Sequence, residues 1–123
     1  MIDLDANFLV DVFEPGTTSP RSLDRWIRNG ESINMSSIAW AEFLCGPVEP
    51  TRALKARSLL ATIEPFTDVD AGLAAELFNT TGRRSRSLAD CMIAALAIRR
   101  RAALATLDRE DFSRFRSFGL KLA

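Results

Sequence analysis

The sequence predicts an α/β fold: a short, mostly parallel central sheet with helices on both faces. Three observations carry that prediction. Short strand-like segments alternate with longer segments of helical apolar spacing from one end of the chain to the other. Most junctions are punctuated, with Ser19-Pro20 as a helix start and Gly30, Gly46 and Gly82 as helix stops. The chain has 123 residues, 47% of them hydrophobic, enough to bury one core as a single domain over 1–123. Strand–helix–strand crossovers of this kind are right-handed and lay successive strands parallel.

Taken in order, Met1–Asp5 alternates apolar and acidic residues and reads as a strand. Asn7–Phe13 has helical spacing and stops before Pro15-Gly16. Ser19 as N-cap and Pro20 at the first helical position open a helix to about Asn29, with Leu23, Trp26 and Ile27 on one face. Ser32–Ser36 is a strand, and Ser37–Cys45 a helix stopped at Gly46. Thr51–Thr62 is a further helix. Ile63–Thr67 is a short strand that Pro65 places at a sheet edge. Val69–Thr80 is helical and Arg83–Arg86 a polar loop. Ser87–Arg101 is the strongest helix in the chain. Ala103–Leu107 is a strand, Arg109–Phe115 a short helical turn, and Phe118–Leu122 a last strand.

Composition narrows the chemistry. There is no histidine, which removes the commonest general base and every histidine-dependent triad or metal site. The two cysteines, Cys45 and Cys91, form neither a disulfide framework nor a zinc motif. No apolar run is long enough for a membrane helix, and Asp3, Asp5 and Asp11 interrupt any leader-like start. A soluble, reduced, cytoplasmic domain is expected. The net charge is zero but uneven: residues 1–81 carry 6 basic and 12 acidic side chains, residues 82–123 carry 10 basic and 4 acidic. Arginine (14) far exceeds lysine (2), and its fork suits phosphate oxygens, although a GC-rich genome would give the same ratio.

In parallel α/β sheets, sites form beyond the carboxyl ends of the strands. Asp5 ends the first strand. Glu42 lies one turn into the helix after the second. Asp90 stands in the first turn of the helix that begins at Ser87. Asp108 follows the strand 103–107, with Asp111 three residues on. Carboxylates gathered in one place repel one another unless a cation sits among them. Hard oxygen donors without histidine or cysteine point to Mg²⁺ or Mn²⁺, and such an ion serves phosphoryl chemistry. A second explanation stands beside this one. Asp5, Ser87-x-x-Asp90 and Asp108-x-x-Asp111 all fit helix caps, and Glu42 fits an ordinary surface position.

The same residues resemble a known family. Ile2–Val10 (IDLDANFLV), Ser36–Gly46 (SSIAWAEFLCG) and Ser87–Phe112 are similar, in order and spacing, to the three blocks of PIN-domain ribonucleases of the VapC toxin type. The resemblance spans nearly the whole chain, and the third block is the most specific. It implies a PIN-like fold and a Mg²⁺-dependent (or Mn²⁺-dependent) endoribonuclease acting as the toxin of a toxin–antitoxin pair. It implies Asp5, Glu42, Asp90 and Asp108 as catalytic, metal-holding acids. It makes Asn7, Ser37, Thr106 and Asp111 supporting residues around them. It implies an RNA substrate, a VapB-type antitoxin partner and a homodimer. Two positions depart from the family pattern: Ala6 stands where the family has a hydroxyl, and Phe43 where it has leucine. Neither is a ligand position.

Other features carry two readings each. Arg83, Arg84 and Arg86 lead into the helix bearing Asp90 and are placed to contact RNA, or they form a solvated loop or a contact to a protein partner. Arg99-Arg100-Arg101 suits the negative end of that helix better than it suits RNA. Trp26, Ile27, Trp40, Phe43 and Leu44 are expected mostly in the core, some lining an antitoxin groove. Both cysteines are expected at least partly buried. Two alternative functions remain at this stage. One is a PIN-like module that binds RNA or a partner without cutting. The other is a receiver-like signalling domain, which Asp3, Asp5 and Lys121 fit poorly because it needs adjacent acids and a lysine beyond the last strand.

Overall fold

The computed structural model describes residues 1–81 and 87–123, the side chain of Ser87 excepted. The order of elements is β1 (Ile2–Leu4), α1 (Ala6–Val12), α2 (Ser19–Arg28), β2 (Ile33–Ser36), α3 (Ser37–Cys45), α4 (Pro50–Leu59), β3 (Thr62–Glu64), α5 (Asp68–Thr80), α6 (Ser87–Arg100), β4 (Ala103–Ala105), α7 (Arg109–Ser113) and β5 (Lys121–Leu122). A single 3₁₀ turn, Arg116–Phe118, precedes β5.

The five strands form one sheet in the order β3-β2-β1-β4-β5. Every pairing is parallel, with Asp3 opposite both Asn34 and Leu104. Every residue of β1 and β2 is buried, so helices cover both faces of the sheet centre. The chain builds outward from β1 to β3 on one side, then crosses to build β4 and β5 on the other. The switch point is therefore the gap between the carboxyl ends of β1 and β4.

α6 is apolar almost all round. Cys91 and the run Ile93–Ala97 are buried, and four of these residues are small or alanine-sized. A helix of that kind belongs in the middle of a core. It packs along α5, and Asp90 in its first turn is carried to the switch point. Leu4, Leu9, Met35, Leu77, Leu96, Leu104, Phe112 and Phe115 fill the space between the layers.

Several predicted boundaries shift for identifiable reasons. The helix expected over Thr51–Thr62 stops at Leu59, because Leu60 is extended and the Ala61 N–H donates to the Ile33 carbonyl, drawing the chain into the sheet. Thr62 consequently belongs to β3, which is an edge strand, as Pro65 indicated. Ser19 does not cap α2: Thr18 holds that position without a side-chain bond, and the Ser19 hydroxyl donates to the Asp11 carboxylate. The last strand is shorter than expected, since Arg116–Phe118 forms the 3₁₀ turn and Gly119 turns the chain at φ +103°. Cys91 is buried, whereas Cys45 is exposed.

The arginine triplet has a role that periodicity did not give. Arg99 forks onto the buried Asp70, whose own carboxylate also closes the capping box with Thr67 at the start of α5. The guanidinium holds the Asp70 carboxyl below the usual range against the opposing effect of burial. Arg100 bonds Asp3 at 2.6 Å and lies 3.5 Å from Glu64. Only Arg101, left-handed at φ 57°, remains a helix-end residue. The triplet ties α6 to α5 and to the sheet.

Candidate active site

Asp5 leaves β1 and enters α1, and its surroundings fix it completely. Its N–H donates to the Ala105 carbonyl at 2.9 Å, one step beyond the β1–β4 ladder. Its Oδ1 accepts from the Ala6 N–H at 2.8 Å, and its Oδ2 accepts from the Thr106 hydroxyl at 2.7 Å. Asp5 thus does cap α1, as one sequence reading had it, but its other oxygen is held from across the switch point.

Thr106 and Asn7 complete a closed circuit. The Thr106 hydroxyl oxygen accepts from the Asp108 N–H at 3.0 Å. Asn7 Nδ2 donates to Asp108 Oδ2 at 3.0 Å, while Asn7 Oδ1 accepts from the Leu107 N–H at 3.1 Å. Two acids, Asp5 and Asp108, are stitched into one rigid edge by two uncharged side chains. The alternative reading of Asp108 as a helix cap does not hold: it occupies the N-cap position of α7 but makes no side-chain cap bond there.

The remaining acids approach from the helices. Burial and the negative charges of Asp5 and Asp90 push Glu42, exposed on α3, above the ordinary glutamate range. Burial pushes Asp5 up as well, with Asp108 adding to it and the Thr106 bond opposing it. Asp90 moves furthest, to about 6, through burial and the charge of Asp5, with Asp108 and Asp111 adding to it and Arg114 opposing them. Asp5, Glu42 and Asp90, each raised in part by a neighbouring acid, form with Asp108 a field that an added cation relieves. Among the described residues, no three acids are yet drawn into a coordination cluster. The donor chemistry, oxygen only, fits a hard divalent ion.

Two expected supporting residues sit differently. The Ser37 hydroxyl accepts from the Phe66 N–H at 3.1 Å and anchors the loop after β3. The neighbouring Ser36 caps α3, accepting from the Ala39 N–H at 3.0 Å, and so sets the helix that carries Glu42. Asp111 is exposed on α7 and acts on Asp90 through charge alone. Arg83, Arg84 and Arg86 lie outside the described residues. Sequence reasoning missed Arg114, whose Nη2 lies 3.8 Å from Asp90 Oδ2. Sequence spacing carried no signal for it, because Asp90 lies 24 residues away on another helix.

The family model described as PIN domain matches residues 2–117. The chain belongs to the PIN domain family. Solved structures similar to this PIN-domain chain cover essentially all of it. VapBC2 from Rickettsia felis, bound to a DNA fragment from its promoter, matches with a TM-score of 0.74 at 24% identity, over 100% of this chain and 98% of that one. FitAcB from Neisseria gonorrhoeae matches with a TM-score of 0.74 at 22% identity, over 99% and 96%. VapC20 of Mycobacterium tuberculosis, described as a Sarcin-Ricin loop cleaving toxin, matches with a TM-score of 0.71 at 17% identity, over 100% and 98%. At these identities the likeness is one of fold. Among curated proteins, none matches the chain in sequence. Within this PIN fold Asp3 pairs with Arg100 away from the switch point, and Lys121 is exposed on an edge strand, so neither serves a receiver-like site. No helix among the described residues is long and apolar enough to cross a membrane.

Proposed function

We propose that this chain, one PIN domain over 1–123, is a Mg²⁺-dependent endoribonuclease and the toxin of a VapBC-type toxin–antitoxin pair. The observation that carries the reading is the Asp5–Thr106–Asp108–Asn7 circuit at the switch point, faced by Asp90 and Glu42. Structural caps alone have no use for a hydroxyl and an amide spent on orienting two carboxylates beside two more.

Asp5, Asp90 and Asp108 would hold the ion, with Glu42 reaching it through water or holding a second one. The ion, when bound, supplies charge neutralisation and activation of water for in-line attack on a phosphodiester. Asp5 cannot swing away from it, because both carboxylate oxygens are already oriented. Asn7 keeps Asp108 aimed at the same space. Glu42, exposed and raised, accepts a proton or hydrogen bond from the attacking water. The resemblance makes the products a 5′-phosphate and a 3′-hydroxyl. A VapB-type antitoxin, a homodimer and a cytoplasmic site of action belong to the same proposal. VapBC2 and FitAcB support it as neighbours in fold, as does the cleaving toxin VapC20.

Two results are expected. Induced expression of the chain arrests bacterial growth, and the Asp5→Asn chain, expressed equally, is tolerated; equal toxicity of both removes the acid site from the explanation. Mn²⁺ affinity, followed by calorimetry, is flat near neutral pH and declines as pH falls through about 6, since proton and cation compete for Asp90. An affinity indifferent to pH across that range excludes Asp90 as a ligand.

A further inference from the structure

One arginine beside the acids has no part in that scheme. Arg114 Nη2 lies 3.8 Å from Asp90 Oδ2, beyond hydrogen-bond reach. Its Nε is buried and has no acceptor among the described residues. The guanidinium carbon lies 4.7 Å from the ring centroid of Phe115, so the group is held by stacking while a fifth of the side chain stays open to solvent. The arginines at the far end of α6 differ. Arg99 is closed onto Asp70 through Nε and Nη2, and Arg100 is bonded to Asp3. Their donors are spent on the fold. Those of Arg114 are not.

We infer that Arg114 is a substrate-binding residue: its guanidinium takes the non-bridging oxygens of an RNA phosphate next to the cation site. The inference rests on the ribonuclease reading and adds to it the group that grips the backbone. A planar fork matches two phosphate oxygens. A cation on Asp90 satisfies that carboxylate and leaves the Arg114 guanidinium to pair with another anion. Contact with the Phe115 ring holds the guanidinium in place in advance, so less ordering remains to be done on binding. Among the described residues the donors find no acceptor within hydrogen-bond reach, and a phosphate arriving between Arg114 and the ion supplies one.

The test compares Glu42→Gln with Glu42→Gln/Arg114→Gln, a background that keeps Asp5, Asp90 and Asp108 for the ion and withdraws the group assigned to the attacking water, so that cleavage interferes less with binding. Affinity for a short single-stranded RNA is measured at fixed Mg²⁺ while KCl is varied, and thermal unfolding is recorded for each chain. Loss of one phosphate contact lowers the slope of log affinity against log salt by about 0.7. An unchanged slope in a folded double variant overturns the role of Arg114 and leaves the ribonuclease reading standing. Absence of RNA binding in both chains overturns the two together. In the otherwise native chain, Arg114→Gln lowers kcat/KM for RNA by about a hundredfold. Arg114→Lys keeps the charge without the fork: it preserves the salt slope and loses part of the rate. Full rate in the lysine variant overturns the bidentate grip.

Discussion

Asp90→Asn removes RNA cleavage and leaves the fold in place. Asp90 stands in the first turn of α6, its carboxyl raised to about 6 by burial and by the charge of Asp5. An amide at that position keeps the volume and loses the anionic oxygen that a divalent ion requires. Ion-borne stabilisation of the transition state is worth several kcal/mol, so the loss is on the order of a thousandfold or more. The fold does not need the charge. A raised carboxyl is one whose ionisation opposes the folded state, so at neutral pH its removal leaves the unfolding midpoint unchanged or higher. Undiminished cleavage by the variant at matched metal removes Asp90 from the site.

The largest expected loss of stability lies elsewhere, at Arg100. Its side chain is 10% exposed, and the Asp3 it bonds at 2.6 Å is 3% exposed. Arg100→Met preserves much of the volume and strands a buried carboxylate in the middle of β1, with the second Asp3 oxygen already lacking a partner among the described residues. Breaking a buried pair from one side costs about 3–5 kcal/mol. The pH dependence follows from direction. Burial holds the Asp3 carboxyl above its ordinary value even with Arg100 opposing that effect. Without Arg100 it rises further. A carboxyl raised on folding binds its proton more tightly when folded, so stability grows as pH falls through the folded value toward the unfolded one. The deficit of Arg100→Met, read by urea denaturation, is therefore greatest at neutral pH and shrinks in mild acid. A constant deficit across that range means the loss is one of packing and not of a stranded charge.

Much of this site was legible in the residues, because the alternation of segments placed Asp5, Glu42, Asp90 and Asp108 at one end of a parallel sheet. What pattern could not separate was capping from ligation. Asp5 turns out to cap α1 and face the site with its other oxygen, while Asp108 occupies a cap position and gives its carboxylate to Asn7 instead. That distinction depends on where side chains point, and spacing does not encode it. Ser36 and Ser37 show the same limit: adjacent hydroxyls take a helix cap and a distant backbone N–H, and the sequence does not say which takes which. Arg99 and Arg100 read as helix-end charges because their partners, Asp70 and Asp3, are 29 and 97 residues away. Arg114 was hidden for the same reason, its partner being on another helix. Long-range ion pairs leave no local trace.

The most direct measurement is cleavage of total bacterial RNA by the purified chain, freed of any partner, in Mg²⁺, in Mn²⁺ and in EDTA. Discrete cuts that require the divalent ion, leave 5′-phosphates and occur at many turnovers per chain are the predicted result. Binding of the ion and of RNA by the folded chain with no cut in any of the three conditions would contradict it, and would make the carboxylates at the switch point part of a binding site.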